Sequence, residues 1–172
     1  MRWLLDDGPF GQLAREFQPK WDWPAATLGV VDVVAQAAAK DKSGRRAKLL
    51  GMTTPNGGAV SVLGLLADSA AADLLFDYFR PNASFATKDW GEHASIAYCV
   101  ADDRDAIFVT CDRGAAYLAL AELGPGRVAS PFDLWHWLAS EGLVSVDTLN
   151  ALCQFTIKNA GDLPGVPSRF SR

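Results

Sequence analysis

The chain opens on a short apolar run, residues 2–5, that closes abruptly in Asp6-Asp7-Gly8-Pro9. Such a run predicts a buried strand ending in a turn, with Pro9 suited to the first turn of a helix that extends to about residue 17. An irregular loop carrying Pro19, Trp21, Trp23 and Pro24 comes next. Residues 27–40 are apolar on nearly every side and rich in alanine, which predicts a largely buried second helix with Asp32 embedded among Val30, Val31, Val33 and Val34. A polar break at 40–48 and a turn-rich stretch at 53–58 follow. Residues 60–63 predict a strand, 69–79 a helix stopped at Arg80-Pro81-Asn82, and 89–100 another helix. Residues 107–110 read as a strand, 113–123 as a helix ending at Gly124-Pro125-Gly126, and 128–129 as a short last strand. Residues 132–140 and 146–159 read as C-terminal helices.

Strands alternating with helices predict an α/β fold: a parallel central sheet sandwiched by helices in three layers. Leu5, Ile96, Ile107, Val109 and Val33 are the expected core. With no repeat and no linker in sight, residues 1–160 are expected to form a single domain and 161–172, rich in proline, glycine and serine, a flexible tail.

Composition narrows the function. Of the 172 residues, 49% are apolar and 21% charged, a globular balance that leaves no uncharged run long enough to cross a bilayer. Aspartates interrupt the N-terminal apolar run too early for a signal peptide, so a cytoplasmic protein without membrane attachment is expected. Three cysteines without CxxC spacing argue against a disulfide framework or a structural zinc, and only two histidines argue against zinc clusters and Ser-His or Cys-His hydrolases. A net charge of −4 excludes bulk electrostatic binding of nucleic acid and leaves only local contacts. Lys40, Lys42, Arg45, Arg46 and Lys48 form the densest basic cluster; Lys42, Arg45, Arg46 and Lys48 are candidate contacts to nucleic-acid phosphates, against the plainer reading of a solvated loop.

The candidate chemistry lies in acids. In open α/β sheets a site forms outside the carboxyl ends of the strands. The first strand ends at Asp6-Asp7 and the strand at 107–110 leads into Asp112. Aspartate is also a common turn and cap residue, but two acids at the same sheet edge suggest more. Asp89-Trp90-Gly91-Glu92 reads either as a capping box, with Glu92 reaching back to Asp89, or as a third acid at the start of a buried helix. Asp32 in its apolar setting is costly unless paired or bound to metal. Converging carboxylates need a cation, and an all-oxygen donor set selects Mg²⁺ or Mn²⁺. The candidate catalytic set is therefore Asp6, Asp32, Glu92 and Asp112. The candidate metal ligands are Asp6, Glu92 and Asp112, with Asp32 or Asp89 completing the shell, and Asp7 and Thr110 in support.

Leu4-Leu5-Asp6-Asp7-Gly8-Pro9-Phe10 resembles the opening of PIN-like domains, in which an apolar strand ends in an aspartate usually followed by Thr or Ser. Here Asp7 takes the hydroxyl position, so the resemblance names Asp6 as first ligand while leaving the choice between Asp6 and Asp7 open. Gly91-Glu92-His93-Ala94-Ser95-Ile96-Ala97 resembles a Gly-Glu variant of that family's third acidic position, and Val109-Thr110-Cys111-Asp112-Arg113 its strand-Thr-x-Asp motif. Asp32 is the candidate for the second acid. The resemblance covers most of residues 1–138. It implies a Mg²⁺- or Mn²⁺-dependent endoribonuclease acting on RNA, in some cases the toxin of a toxin–antitoxin pair with a cognate antitoxin, and a possible homodimer. The alternative is a PIN-like domain that has lost catalysis and serves as an RNA- or protein-binding module.

Other readings fit less well. A response-regulator receiver needs an aspartate ending a middle strand, and a HAD-type phosphatase needs Asp-x-Asp where Asp6-Asp7-Gly8 stands. Trp3, Trp21, Trp23 and Trp90 are expected to pack in the core or loops more than to stack on bases. His136 reads as structural, and Ser95 and Thr110 as hydrogen-bonding neighbours of the site.

Overall fold

The computed structural model describes residues 1–16, 18, 20, 21, 23, 24, 26–38, 40–51, 60–79 and 89–159. Five short strands, β1 (Trp3–Leu5), β2 (Leu28–Val31), β3 (Ser61–Leu63), β4 (Ile107–Val109) and β5 (Val128–Ala129), form one sheet in the order β3-β2-β1-β4-β5. Every pairing is parallel, with Leu4 opposite Gly29 on one side and Phe108 on the other. Strands β1, β2, β4 and β5 are buried along their whole length, as parallel strands covered on both faces must be.

Eight α-helices surround the sheet among the described residues: α1 (Asp7–Arg15), α2 (Asp32–Ala38), α3 (Arg45–Leu50), α4 (Ala70–Asp73), α5 (Trp90–Ala101), α6 (Arg113–Leu123), α7 (Pro131–Ser140) and α8 (Val146–Asn159). Helix α4 runs on into a π-helical turn, Leu74–Phe79. Helix α5 packs on α4 and on α6, while α1 packs on α3 and α8, and α8 on α7. This is the expected three-layer architecture. Leu5, Ile96, Ile107 and Val109 lie in the core. Val33 is only half-buried, because its neighbour Val34 faces inward instead.

Two elements differ from the sequence-based expectation. The run 27–40 is not one helix: Leu28–Val31 is a strand and the helix begins at Asp32. A short buried apolar run has no periodicity to separate strand from helix, and β-branched Val30 and Val31 settle into the sheet between β1 and β3. Of the basic stretch only residues 40–44 form a turn, with Lys40 and Lys42 exposed in it. Arg45–Leu50 is helical, buries Leu49 and packs on α1. The turn-rich stretch 53–58, the stop at Arg80-Pro81-Asn82 and the tail 161–172 lie outside the described residues. Among the described residues no helix is long and apolar enough to cross a membrane.

Candidate functional site

The strand order fixes where a site can form. The chain moves from β1 outward to β3, then returns to place β4 on the other side of β1. The crevice outside the carboxyl ends of β1 and β4 is thus the switch point at which open α/β sheets bind ligands. Leu5 pairs with Val109 in register, and the Asp6 amide donates to the Val109 carbonyl at 3.0 Å. Asp6 leaves β1 and Asp112 leaves β4 at this crevice.

Asp6 caps α1, its Oδ1 accepting from the Asp7 amide at 2.7 Å. Its Oδ2 accepts from the Thr110 hydroxyl at 2.7 Å, and that hydroxyl in turn accepts from the Asp112 amide at 3.0 Å. Thr110 thus bridges the two acid-bearing loops. Burial pushes the Asp6 carboxyl above its ordinary value of 3.8, and the charges of Asp7 and Asp112 push the same way against the lowering hydrogen bonds. Asp112 is exposed and caps α6, its Oδ1 accepting from the Ala115 amide at 2.9 Å. Cys111 sits between them, in contact with the Cα of Gly8 so closely that a Cβ at Gly8 would collide with its sulfur. Burial lifts the Cys111 thiol to about 11, so it is protonated at neutral pH and no nucleophile.

Asp7 is committed elsewhere. Its Oδ1 lies 2.6 Å from Arg46 Nη1 and its Oδ2 3.2 Å from Nη2, a bidentate pair that draws α3 onto α1. Gly11 leaves the room that the Arg46 guanidinium occupies. The pair bears on the choice between Asp6 and Asp7: among the described residues Asp7 has a counter-ion, whereas Asp6 has hydrogen bonds only. A cleft of about 630 Å³ opens beside it, with Lys40, Arg45 and Arg46 on one wall and Gly8, Gln12 and Cys111 on another. Arg15, which nothing in the local sequence marks, joins from α1 and lies over the Phe155 ring at 4.3 Å. One carboxylate, Asp41, shares the cleft, held below its ordinary value by hydrogen bonds from Ser43. Lys42 and Lys48 are exposed near it without lining it.

Asp32 stands at the carboxyl end of β2 and opens α2, its Oδ1 accepting from the Val33 amide at 2.8 Å. It is half-buried and, with Asp7, lines a second cleft of about 660 Å³ walled by Val34, Leu65, Leu75, Phe76 and Trp90. Glu92 lies in the first turn of α5 and is half-buried. Asp89 is exposed in the left-handed region, φ 60°, and makes no side-chain cap. The capping-box reading of Asp89 and Glu92 therefore lacks its Asp89 half. Ser95 is buried and donates to the Gly91 carbonyl at 2.8 Å. His93 stacks on Phe79 at 5.6 Å, and Trp3, Trp21 and Trp23 are buried.

The candidate acids therefore share one edge of the sheet but do not form a single cage. Among the described residues no three His, Cys, Asp or Glu side chains are gathered so that they could hold a metal ion. What the fold does join, across Thr110, is the Asp6 carboxylate and the main chain of Asp112. No family model matches this chain, and no curated protein or solved structure matches it either.

Proposed function

We propose that this chain is a PIN-like, divalent-metal-dependent endoribonuclease whose reacting edge lies between β1 and β4. The observation that carries the reading is the presence of Asp6 and Asp112 at the topological switch point, where the Thr110 hydroxyl links the Asp6 carboxylate to the Asp112 amide, beside a basic cleft. Two adjacent carboxylates do not make a protein cage, but they suit Mg²⁺ or Mn²⁺, which keep several waters and take one or two carboxylates together with substrate phosphate oxygens. A buried carboxyl whose ionised form is disfavoured by burial and by two neighbouring anions is a group that gains from a cation. When bound, such an ion lowers the pKa of a water and neutralises developing charge at phosphorus.

The chain's own residues have separate tasks in this reading. Asp6 and Asp112 hold the ion, and Thr110 fixes the Asp6 carboxylate and the Asp112 loop together. Lys40, Arg45 and Arg15 hold RNA phosphates along the cleft, with Lys42 and Lys48 as outlying charges. Arg46 neutralises Asp7, so that one fewer anion repels the phosphate. Asp32 and Glu92 flank the edge. A toxin role, a cognate antitoxin and a homodimer rest on the family resemblance alone, as does a cytoplasmic location on composition.

The test is cleavage of a mixed-sequence RNA with Mn²⁺, Mg²⁺ or chelator. Metal-dependent cutting that disappears in Asp6→Asn and Asp112→Asn is the expected result; cutting that survives either substitution, or that chelator leaves untouched, refutes the assignment. A second reading, a binding module without catalysis, is favoured by the absence of three gathered ligands among the described residues. It predicts RNA binding with no cleavage and no stabilisation by Mn²⁺.

A further inference from the structure

The two clefts meet at the end of α2, where Ala37 and Lys40 line both. The first is basic; the second is walled by aliphatic and aromatic side chains, with the half-exposed ring of Phe76 and the side chain of Trp90 among them. We propose that the second cleft takes a single unstacked RNA base, guanine in preference to the others; this rests on the ribonuclease reading, which places the adjoining phosphate at the carboxyl edge.

The chemistry of the walls points to a base. A cleft of about 660 Å³ is of the size that encloses a small ligand. A base is apolar on both faces and polar only along its edge, and single-stranded bases are recognised by stacking on aromatic side chains and by hydrogen bonds to that edge. The polar groups on the second cleft include two carboxylates, Asp7 and Asp32, with Lys40 at the wall shared with the basic cleft. Asp7 is satisfied by Arg46, which leaves Asp32 as the acceptor-only reader beside the exposed Gln36, whose amide both donates and accepts and so favours no one base. Among the described residues the Asp32 side chain makes one hydrogen bond, which its Oδ1 accepts from the Val33 amide, so Oδ2 and the second lone pair of Oδ1 are open to ligand donors.

An ionised carboxylate only accepts. Guanine presents two adjacent N–H donors, N1–H and the exocyclic amine, and meets a carboxylate edge to edge. Adenine and cytosine each present one amine beside an acceptor that a carboxylate repels. Uracil presents one N–H between two carbonyls. Of the four bases, guanine alone satisfies Asp32 without placing an acceptor against it. Lys40, on the shared wall, is then placed for the phosphate attached to that nucleotide.

The probe is guanosine 5′-monophosphate, titrated against the full chain by calorimetry in chelator, with the adenosine, cytidine and uridine monophosphates in parallel. The expected result is saturable binding of the guanosine nucleotide at least tenfold tighter than of the uridine nucleotide. Ala67→Trp, at an exposed position that lines only this cleft, should weaken it tenfold or more, and Asp32→Asn should narrow the preference for guanosine over adenosine. Thermal melting of both variants checks that they fold, and if Ala67→Trp does not, Asp32→Asn alone decides. Absence of binding, equal binding of all four nucleotides, or indifference to the substitutions in folded protein overturns the proposal. Preferential binding of a polyamine such as spermidine, abolished by the same substitutions, would overturn it too, since two carboxylates also suit a cation. If the chain cuts RNA but fails this titration, the base cleft falls and the nuclease stands; if it passes but never cuts RNA, the nuclease falls and the cleft stands.

Discussion

The Thr110 hydroxyl donates to Asp6 Oδ2 at 2.7 Å across 104 residues of sequence, and both groups are buried. Thr110→Val keeps the shape and leaves a buried carboxylate oxygen without its donor, which costs about 1–3 kcal/mol. Urea denaturation should show that loss in Thr110→Val and recover most of it in Thr110→Ser. A Thr110→Val midpoint equal to the wild type would show that the bond contributes nothing.

The pH dependence of Asp6 has a definite sign. Burial, the first cause, raises its folded pKa above 3.8, so the fold prefers the protonated form. Its favourable contribution is complete below the unfolded value and is lost as pH rises through the raised folded value. Asp6→Asn removes that loss. Measured in chelator, the variant should gain stability relative to wild type as pH climbs from 3.8 to neutrality, and the gain should level off above the folded pKa. Saturating Mn²⁺ should stabilise the wild type alone. A stability difference that is flat with pH would refute the raised value.

Arg45 and Arg46 are neighbours with different tasks. Arg45 is exposed on the basic cleft, whereas Arg46 is spent on Asp7. Arg45→Ala should reduce the salt slope of RNA binding by about one, in log–log units, and change stability by less than about 0.5 kcal/mol. Arg46→Ala should instead lower stability by up to about 1 kcal/mol, since Asp7 is half-exposed and its pair is screened. Equal effects of the two on both measurements would contradict the division.

Helix α8 is locked by a buried network. The single Thr156 hydroxyl proton has two acceptors in reach, Gln12 Oε1 and the Leu152 carbonyl, and the hydroxyl oxygen accepts from Trp135 Nε1 at 3.0 Å. Thr156→Val strands the Trp135 N–H and the Gln12 amide, at a cost of about 1–3 kcal/mol. Amide exchange should accelerate first in α8 and α7. Uniform acceleration across the sheet would mean that the network does not localise stability there.

Much of the architecture was legible in sequence because its signals are local. The run ending at Asp6-Asp7, the break after Val109 and the Gly124-Pro125-Gly126 stop mark elements wherever they sit in space, and helix Val146–Asn159 follows from its own spacing. Alternation of such elements already required a parallel sheet, whose carboxyl edge had to gather the acids that end its strands. What lay beyond local signals depended on burial and on partners far away in the chain. Val30 and Val31 are a strand and not a helix because β1 and β3 accept them on either side, which a buried apolar run cannot announce. Asp7 is a structural ion-pair partner only because α3 brings Arg46 to it, and Arg15 and Phe155 meet only when α8 closes on α1. Residue types and strand ends thus determined which carboxylates could meet; the crossing of β4 back past β1 decided that Asp6 meets Asp112, and left Asp32 facing an apolar cleft of its own.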